Sequence, residues 1–120
     1  MCLQLLQREK SNTQRVFMEI CEMNQNQSII KDDTRGRCYL CGKYCRTERH
    51  HVFGGAFRKK SEYYRLTVHL CHWCHNEPPN GAHYNISVAV YLKKIAQRAA
   101  MEHYGWTIEQ FREKFGKNWM

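Results

Sequence analysis

The chain has no apolar run approaching the roughly 20 residues that span a bilayer, so no transmembrane helix and no membrane partner are expected. The start lacks the basic-then-apolar order of a secretory leader, because Arg8, Glu9 and Lys10 interrupt its apolar opening. Acidic residues are few beside basic ones, 11 against 19, for a formal charge of +8. That balance points to a polyanionic partner, with nucleic acid the first candidate and a merely solvated basic surface the alternative. Internal repeats and low-complexity tracts are also missing. Mean hydropathy is −0.73. At 120 residues and 42% hydrophobic, the chain suits one small domain with a modest core. Such domains often need metals or disulfides as a supplement.

Cysteine is what the sequence has in abundance. Seven is an odd number, and with no leader and two C-x-x-C pairs it favours reduced thiolates on metal over a disulfide framework. A cytoplasmic location follows as an expectation. The basic excess is concentrated in residues 31–65, which carry ten Lys or Arg against four Asp or Glu.

Three stretches are expected along the chain. Residues 1–22 hold an apolar pattern (Leu3, Leu5, Leu6, then Val16, Phe17, Ile20) suited to two helical pieces, with Thr13 capping the second. They read as a peripheral N-terminal extension, or as a packing or dimerising helix, and Met23 offers a second start. Residues 23–36 are polar and read as a linker, and residues 37–120 as the domain. Within the domain we expect a knuckle from Arg37 to Cys45 with Gly42 in its tight turn, then a strand ending near His50–Phe53. A turn at Gly54-Gly55 and an exposed basic loop at Arg58-Lys59-Lys60 should follow. A second strand over Tyr63–Leu70 leads into the second knuckle. A loop at Pro78-Pro79-Asn80-Gly81 precedes a helix from Ile86 to Glu102, capped by Asn85 and presenting Val88, Leu92, Ile95 and Ala99. Gly105 should stop it. Thr107 with Gln110 has the spacing of a capping box for a last helix ending near Gly116.

Two knuckles, Cys38-Tyr-Leu-Cys41 and Cys71-His-Trp-Cys74, supply four thiolates, the donor set of a closed structural Zn²⁺ site. Such a site has no open position for hydrolysis; it would pin the ends of the insertion between the knuckles. Cys45 is a possible substitute ligand, although a Cys four residues after Cys41 better suits a small buried hydrophobe. The insertion carries His50-His51, and His75 and His83 follow the second knuckle, so a second, open site can form among the histidines. His69 and His72 read as structural or exposed, and His103 as a helix C-terminal cation favoured by the dipole.

The order strand, turn, strand, knuckle, helix, with the segments CYLC, RHHVFGG, LTVHLCHWCHNE and GAHYN, resembles the HNH endonucleases, in particular small zinc-ribbon-containing members from phages and prophages. The likeness is close over about Arg37 to Asn85 and looser over the next helix. It implies an α+β fold of the ββα-metal (His-Me finger) type, with a Cys₄ zinc knuckle pair and C-terminal helices. It also implies metal-dependent hydrolysis of DNA phosphodiester bonds in a bacterial host cell, with phage or host recombination or replication proteins as further partners. By this resemblance His50, His75 and His83 hold a catalytic Mg²⁺, Mn²⁺ or Zn²⁺, and His51 activates water, a role suited to imidazole. Arg58, Lys59, Lys60 and Arg65 would hold the DNA backbone. A surface strand for His50-His51 and a helix-start position for His83 are the plain alternatives. One departure stands out: the family's middle Asn is missing, since the residues before the second knuckle read Tyr64-Arg65-Leu66-Thr67. Orientation of His51 must then come from a backbone carbonyl or another side chain. The competing functions are a non-catalytic zinc module that binds nucleic acid, and a zinc ribbon whose basic face meets an acidic protein.

Overall fold

Two short strands pair at the centre of the chain. Strand β1 (Glu48–His51) runs antiparallel to β2 (Thr67–Leu70), with Glu48 opposite Leu70, Arg49 opposite His69, His50 opposite Val68 and His51 opposite Thr67. The computed structural model describes residues 27–120, and the helical pattern expected in residues 1–22 lies outside them. A 3₁₀ turn (Gly55–Phe57) and helix α1 (Arg58–Tyr63) fill the connection between the strands. Helix α2 (His72–Asn76) grows out of the second knuckle, followed by the long α3 (Ile86–Tyr104) and by α4 (Ile108–Phe115). The result is a small α+β fold with a two-stranded sheet.

The basic stretch expected as a loop is helix α1. Its residues, RKKSEY, are mostly good helix formers with no Gly or Pro among them. The helix closes where Arg65 takes a left-handed φ of 61°. That reversal is why β2 begins at Thr67 rather than Tyr63. Ser61, fully buried, stitches α1 to the end of β1: its hydroxyl accepts from the Phe53 N–H at 2.9 Å and donates to the Phe53 carbonyl at 2.8 Å. Helix α1 is thereby fixed beside His51.

The caps read from the sequence are present. Asn85 Oδ1 accepts from the N–H groups of Ser87 and Val88, and Thr107 and Gln110 form a reciprocal capping box. Helix α3 ends at Tyr104, two residues beyond the expected Glu102, with Gly105 as its C-cap. Its most buried face is Leu92, Ala96 and Ala100, one row round from the expected one; Val88, Ile95 and Ala99 are partly buried beside it. These pack with Leu66, Val68, Leu70, Val52, Phe53, Phe111 and Phe115. Each large side chain so buried contributes about 1.5–3 kcal/mol. Gln97 is buried in this core, and its amide is satisfied by Asn118 Oδ1 at 2.8 Å and the Trp119 N–H at 2.7 Å. The C-terminal tail is pinned to α3 through that amide.

Part of the lead-in belongs to the packed body. Ile30 is buried in the core. Asp33 accepts from the His69 backbone N–H at 2.7 Å and contacts His69 Nδ1 at 2.8 Å, which gives His69 a structural partner on β2. Among the described residues, no helix is long and apolar enough to cross a membrane.

Candidate functional site

The two knuckles bring Cys38, Cys41, Cys71 and Cys74 together, with their sulfurs all within 4.8 Å of one another. Gly42 turns the first knuckle at a φ of 77°, and its N–H donates to the Cys38 carbonyl at 2.9 Å. Cys41 Sγ lies 3.9 Å from Cys71 Sγ. A zinc–sulfur bond of about 2.3 Å puts thiolates of a tetrahedral site about 3.8 Å apart, so the observed spacing fits. Burial raises the Cys38 thiol, but the backbone N–H groups of Cys41, Cys71 and Leu40 outweigh it and bring the pKa down to about 7. The chain thus favours thiolate at Cys38. Cys45 stays outside the cluster and directs its thiol to the Lys43 carbonyl at 3.7 Å. Four cysteines so arranged can hold a metal ion such as zinc.

His50, His75 and His83 form the second cluster, again with ligand atoms within 4.8 Å of one another. Helix α2 carries His75, strand β1 carries His50, and the loop before α3 carries His83. The loop must fold back, and Gly81 makes this possible. A Cβ there would sit 2.8 Å from the Glu77 nitrogen and 3.0 Å from the His75 oxygen, so only glycine fits. Backbone bonds from Ala82 to the Cys74 carbonyl and from His83 to the His75 carbonyl hold the return. His50 and His75 are buried while His83 is exposed, so the cluster opens to solvent on one side. Burial, with His75 and His83 adding to it, holds the His50 imidazole neutral down to about pH 3. Its Nδ1 is buried with no hydrogen-bond partner among the described residues. A buried nitrogen left unpaired and three imidazoles converging are the donor set of a transition-metal site.

Successive strand residues face opposite ways, and β1 uses that alternation to separate two sets of contacts. On one face, Glu48 Oε1 lies 2.8 Å from His75 Nδ1, beside His50. His72 braces the same carboxylate at 3.2 Å from Oε2 and reaches Glu77 Oε2 at 2.6 Å with its other nitrogen. On the other face, Arg49 and His51 both meet Glu62 on α1. Arg49 Nη2 donates to Oε2 at 3.0 Å, and His51 Nε2 lies 2.7 Å from Oε1. Burial raises the Glu62 carboxyl, but the contacts with His51 and Arg49 outweigh it and lower its pKa. A cavity of about 660 Å³ opens here, lined by His51, Gly55, Ala56, Arg58, Lys59 and Glu62.

The basic residues read from the sequence do not form one surface. Arg58 Nε approaches His51 Nδ1 at 3.4 Å, and Lys59 lines the same cavity. Lys60 turns away: its ammonium donates to the Lys114 carbonyl at 2.6 Å and lies over the Phe57 ring. Arg65 is at the end of α3, with Nη2 3.4 Å from His103 Nε2. Glu48 and Glu62 were missed by the sequence reading. The only signal for Glu48 was its place two residues before His50, on the same face of a strand. Glu62 gives none, lying between the basic loop expected at Arg58-Lys59-Lys60 and the strand expected from Tyr63. Comparison with protein families, with curated proteins and with solved structures finds no match to this chain.

Proposed function

We propose that this chain is a metal-dependent endonuclease of the HNH type that hydrolyses DNA phosphodiester bonds. The phage or prophage origin and bacterial host cytoplasm rest on the same resemblance. The observation that carries the proposal is the division of labour across β1. His50 joins His75 and His83 on one face, while its neighbour His51 lies on the other, held by Glu62 and next to a cationic cavity. Ligand and base are adjacent in sequence, yet they do not compete for one position.

His50, His75 and His83 would hold the catalytic ion, and Cys38, Cys41, Cys71 and Cys74 a structural zinc. When bound, the catalytic ion supplies Lewis-acid neutralisation of the charge that develops on the phosphate and leaving oxygen. Three imidazoles with no oxygen ligand suit Zn²⁺ or another transition ion better than Mg²⁺, a hard ion that prefers oxygen. His51 accepts the proton of the attacking water. Arg58 and Lys59 meet the phosphate backbone, a contact that reads no base sequence.

Nicking of supercoiled plasmid across Mg²⁺, Mn²⁺ and Zn²⁺ tests the reading. His51→Ala should keep metal content and DNA affinity while the rate falls by roughly 10² or more. If the native protein binds DNA but the rate is indifferent to His51→Ala and His50→Ala, the chain is a zinc-dependent nucleic-acid-binding module instead.

A further inference from the structure

The resemblance leaves His51 without its usual orienting Asn. In this structure the ring is gripped by side chains at both nitrogens, and the two grips agree. An ionised carboxylate can only accept a hydrogen bond, so Glu62 Oε1, 2.7 Å from Nε2, requires the proton to sit on Nε2. A guanidinium can only donate, so Arg58 Nε, 3.4 Å from Nδ1, requires a lone pair there. Both contacts describe one neutral tautomer, protonated on Nε2 and basic on Nδ1.

We infer that Glu62 is the positioning residue of His51, holding the imidazole in the tautomer whose Nδ1 takes the proton from water. The inference rests on the nuclease reading above. Glu62 is itself fixed, by Arg49 Nη2 at 3.0 Å on its second oxygen and by Ser61, whose buried hydroxyl ties α1 to Phe53. The 2.7 Å contact to Glu62 is short, whereas the 3.4 Å contact to Arg58 is long and exposed, so Arg58 is the partner that yields. His51 and Arg58 both line the cavity, so the Nδ1 that Arg58 releases is open to a phosphate and its water. In the reaction the water proton passes to Nδ1 as the new P–O bond forms. The bond to the leaving oxygen breaks, and that oxygen takes its proton from solvent. His51 is then an imidazolium with both nitrogens protonated, and the Glu62 carboxylate stabilises that charge. His51 afterwards returns its proton to solvent.

The test uses the full chain loaded with zinc. Nitrogen NMR of histidine-labelled protein near neutral pH should show His51 protonated at Nε2 and bare at Nδ1, and Glu62→Leu should mix the tautomers. Glu62 is partly exposed, so this variant should fold. In plasmid nicking, Glu62→Leu should lower kcat by about tenfold or more, a part of the roughly 10²–10⁴ that a general base contributes. KM and metal content should not change. Glu62→Gln keeps an acceptor oxygen and should recover most of the loss. A His51 protonated at Nδ1 in the native protein overturns the inference. So does full nicking by Glu62→Leu where His51→Ala is inactive, and in that case the nuclease reading stands. A native protein that does not nick, or nicking indifferent to His51→Ala, overturns both.

Discussion

His83 Nε2 lies 3.0 Å from His75 Nε2, while the other nitrogen of His75, Nδ1, lies 2.8 Å from a carboxylate oxygen of Glu48. Asn76 Nδ2 also approaches His75 Nδ1, at 3.3 Å. The shorter Glu48 contact decides the tautomer: Nδ1 carries the proton and Nε2 turns its lone pair into the histidine cluster. The His75 hydrogen bond, with His72 assisting, lowers the Glu48 carboxyl, so Glu48 is an ionised acceptor.

Glu48 should therefore control an ion held, as proposed above, by the three histidines, without touching it. Glu48→Ala is expected to weaken that ion by about 10–100-fold, the usual cost of losing a carboxylate behind a metal-bound histidine. Competition with a chromogenic chelator reads the affinity directly. Zinc bound by the four cysteines should remain, since among the described residues the Glu48 carboxylate hydrogen-bonds to His72, His75 and Asn76 and to no cysteine.

Cys71→Ser removes one thiolate from the four-cysteine cluster. Structural zinc supplies on the order of 10 kcal/mol in small domains, comparable to the whole stability of a domain of this size. Circular dichroism should show an unfolded chain, and metal analysis no tight zinc. A folded, zinc-free Cys71→Ser protein would exclude the site.

Lys59 and Lys60 are neighbours with different surroundings, and the DNA binding proposed above should separate them. Lys59 lines the cavity, whereas the Lys60 ammonium is engaged by the Lys114 carbonyl. Each phosphate contact adds about 0.9 to the slope of log affinity against log salt for duplex DNA. Lys59→Ala should lower that slope by about one contact's worth and weaken all sequences alike. Lys60→Ala should leave it unchanged. The reverse result would move the footprint to the α4 side.

His103 lies at the end of α3, where the dipole favours a cation. Burial and the Arg65 guanidinium act the other way and lower its pKa from 6.5. With the folded pKa below the unfolded one, the unfolded chain protonates first as pH falls. The contribution of His103 is thus fully present above 6.5 and is lost as pH drops below it. The melting-temperature advantage of the native protein over His103→Gln should shrink on acidification through that range. A difference independent of pH would mean that Arg65 and burial do not act on this ring.

Features governed by neighbouring residues were legible before the structure. Each helix cap needs one side chain and a backbone group two or three residues on, so Asn85 and Thr107 announced themselves. The knuckles are equally local, because C-x-x-C closes within a turn. The error at Arg58-Lys59-Lys60 shows the limit: three cations look like a solvated loop although RKKSEY suits a helix, and it is the anchoring of Ser61 to Phe53 that fixes the helix in place.

The sequence by itself determined which atoms are available: four thiolates in two turns, and histidines placed on a strand, a short helix and a glycine-containing loop. Tertiary structure alone decided their partners. Glu62 meets His51 across 11 positions and Glu48 meets His75 across 27. Lys60 turns from the cavity to α4 across 54. The reason is physical. Ligand chemistry and caps depend on residue type and short spacing. A carboxylate, by contrast, finds its imidazole only after strand pairing, helix α1 and the buried core have set the distance between them.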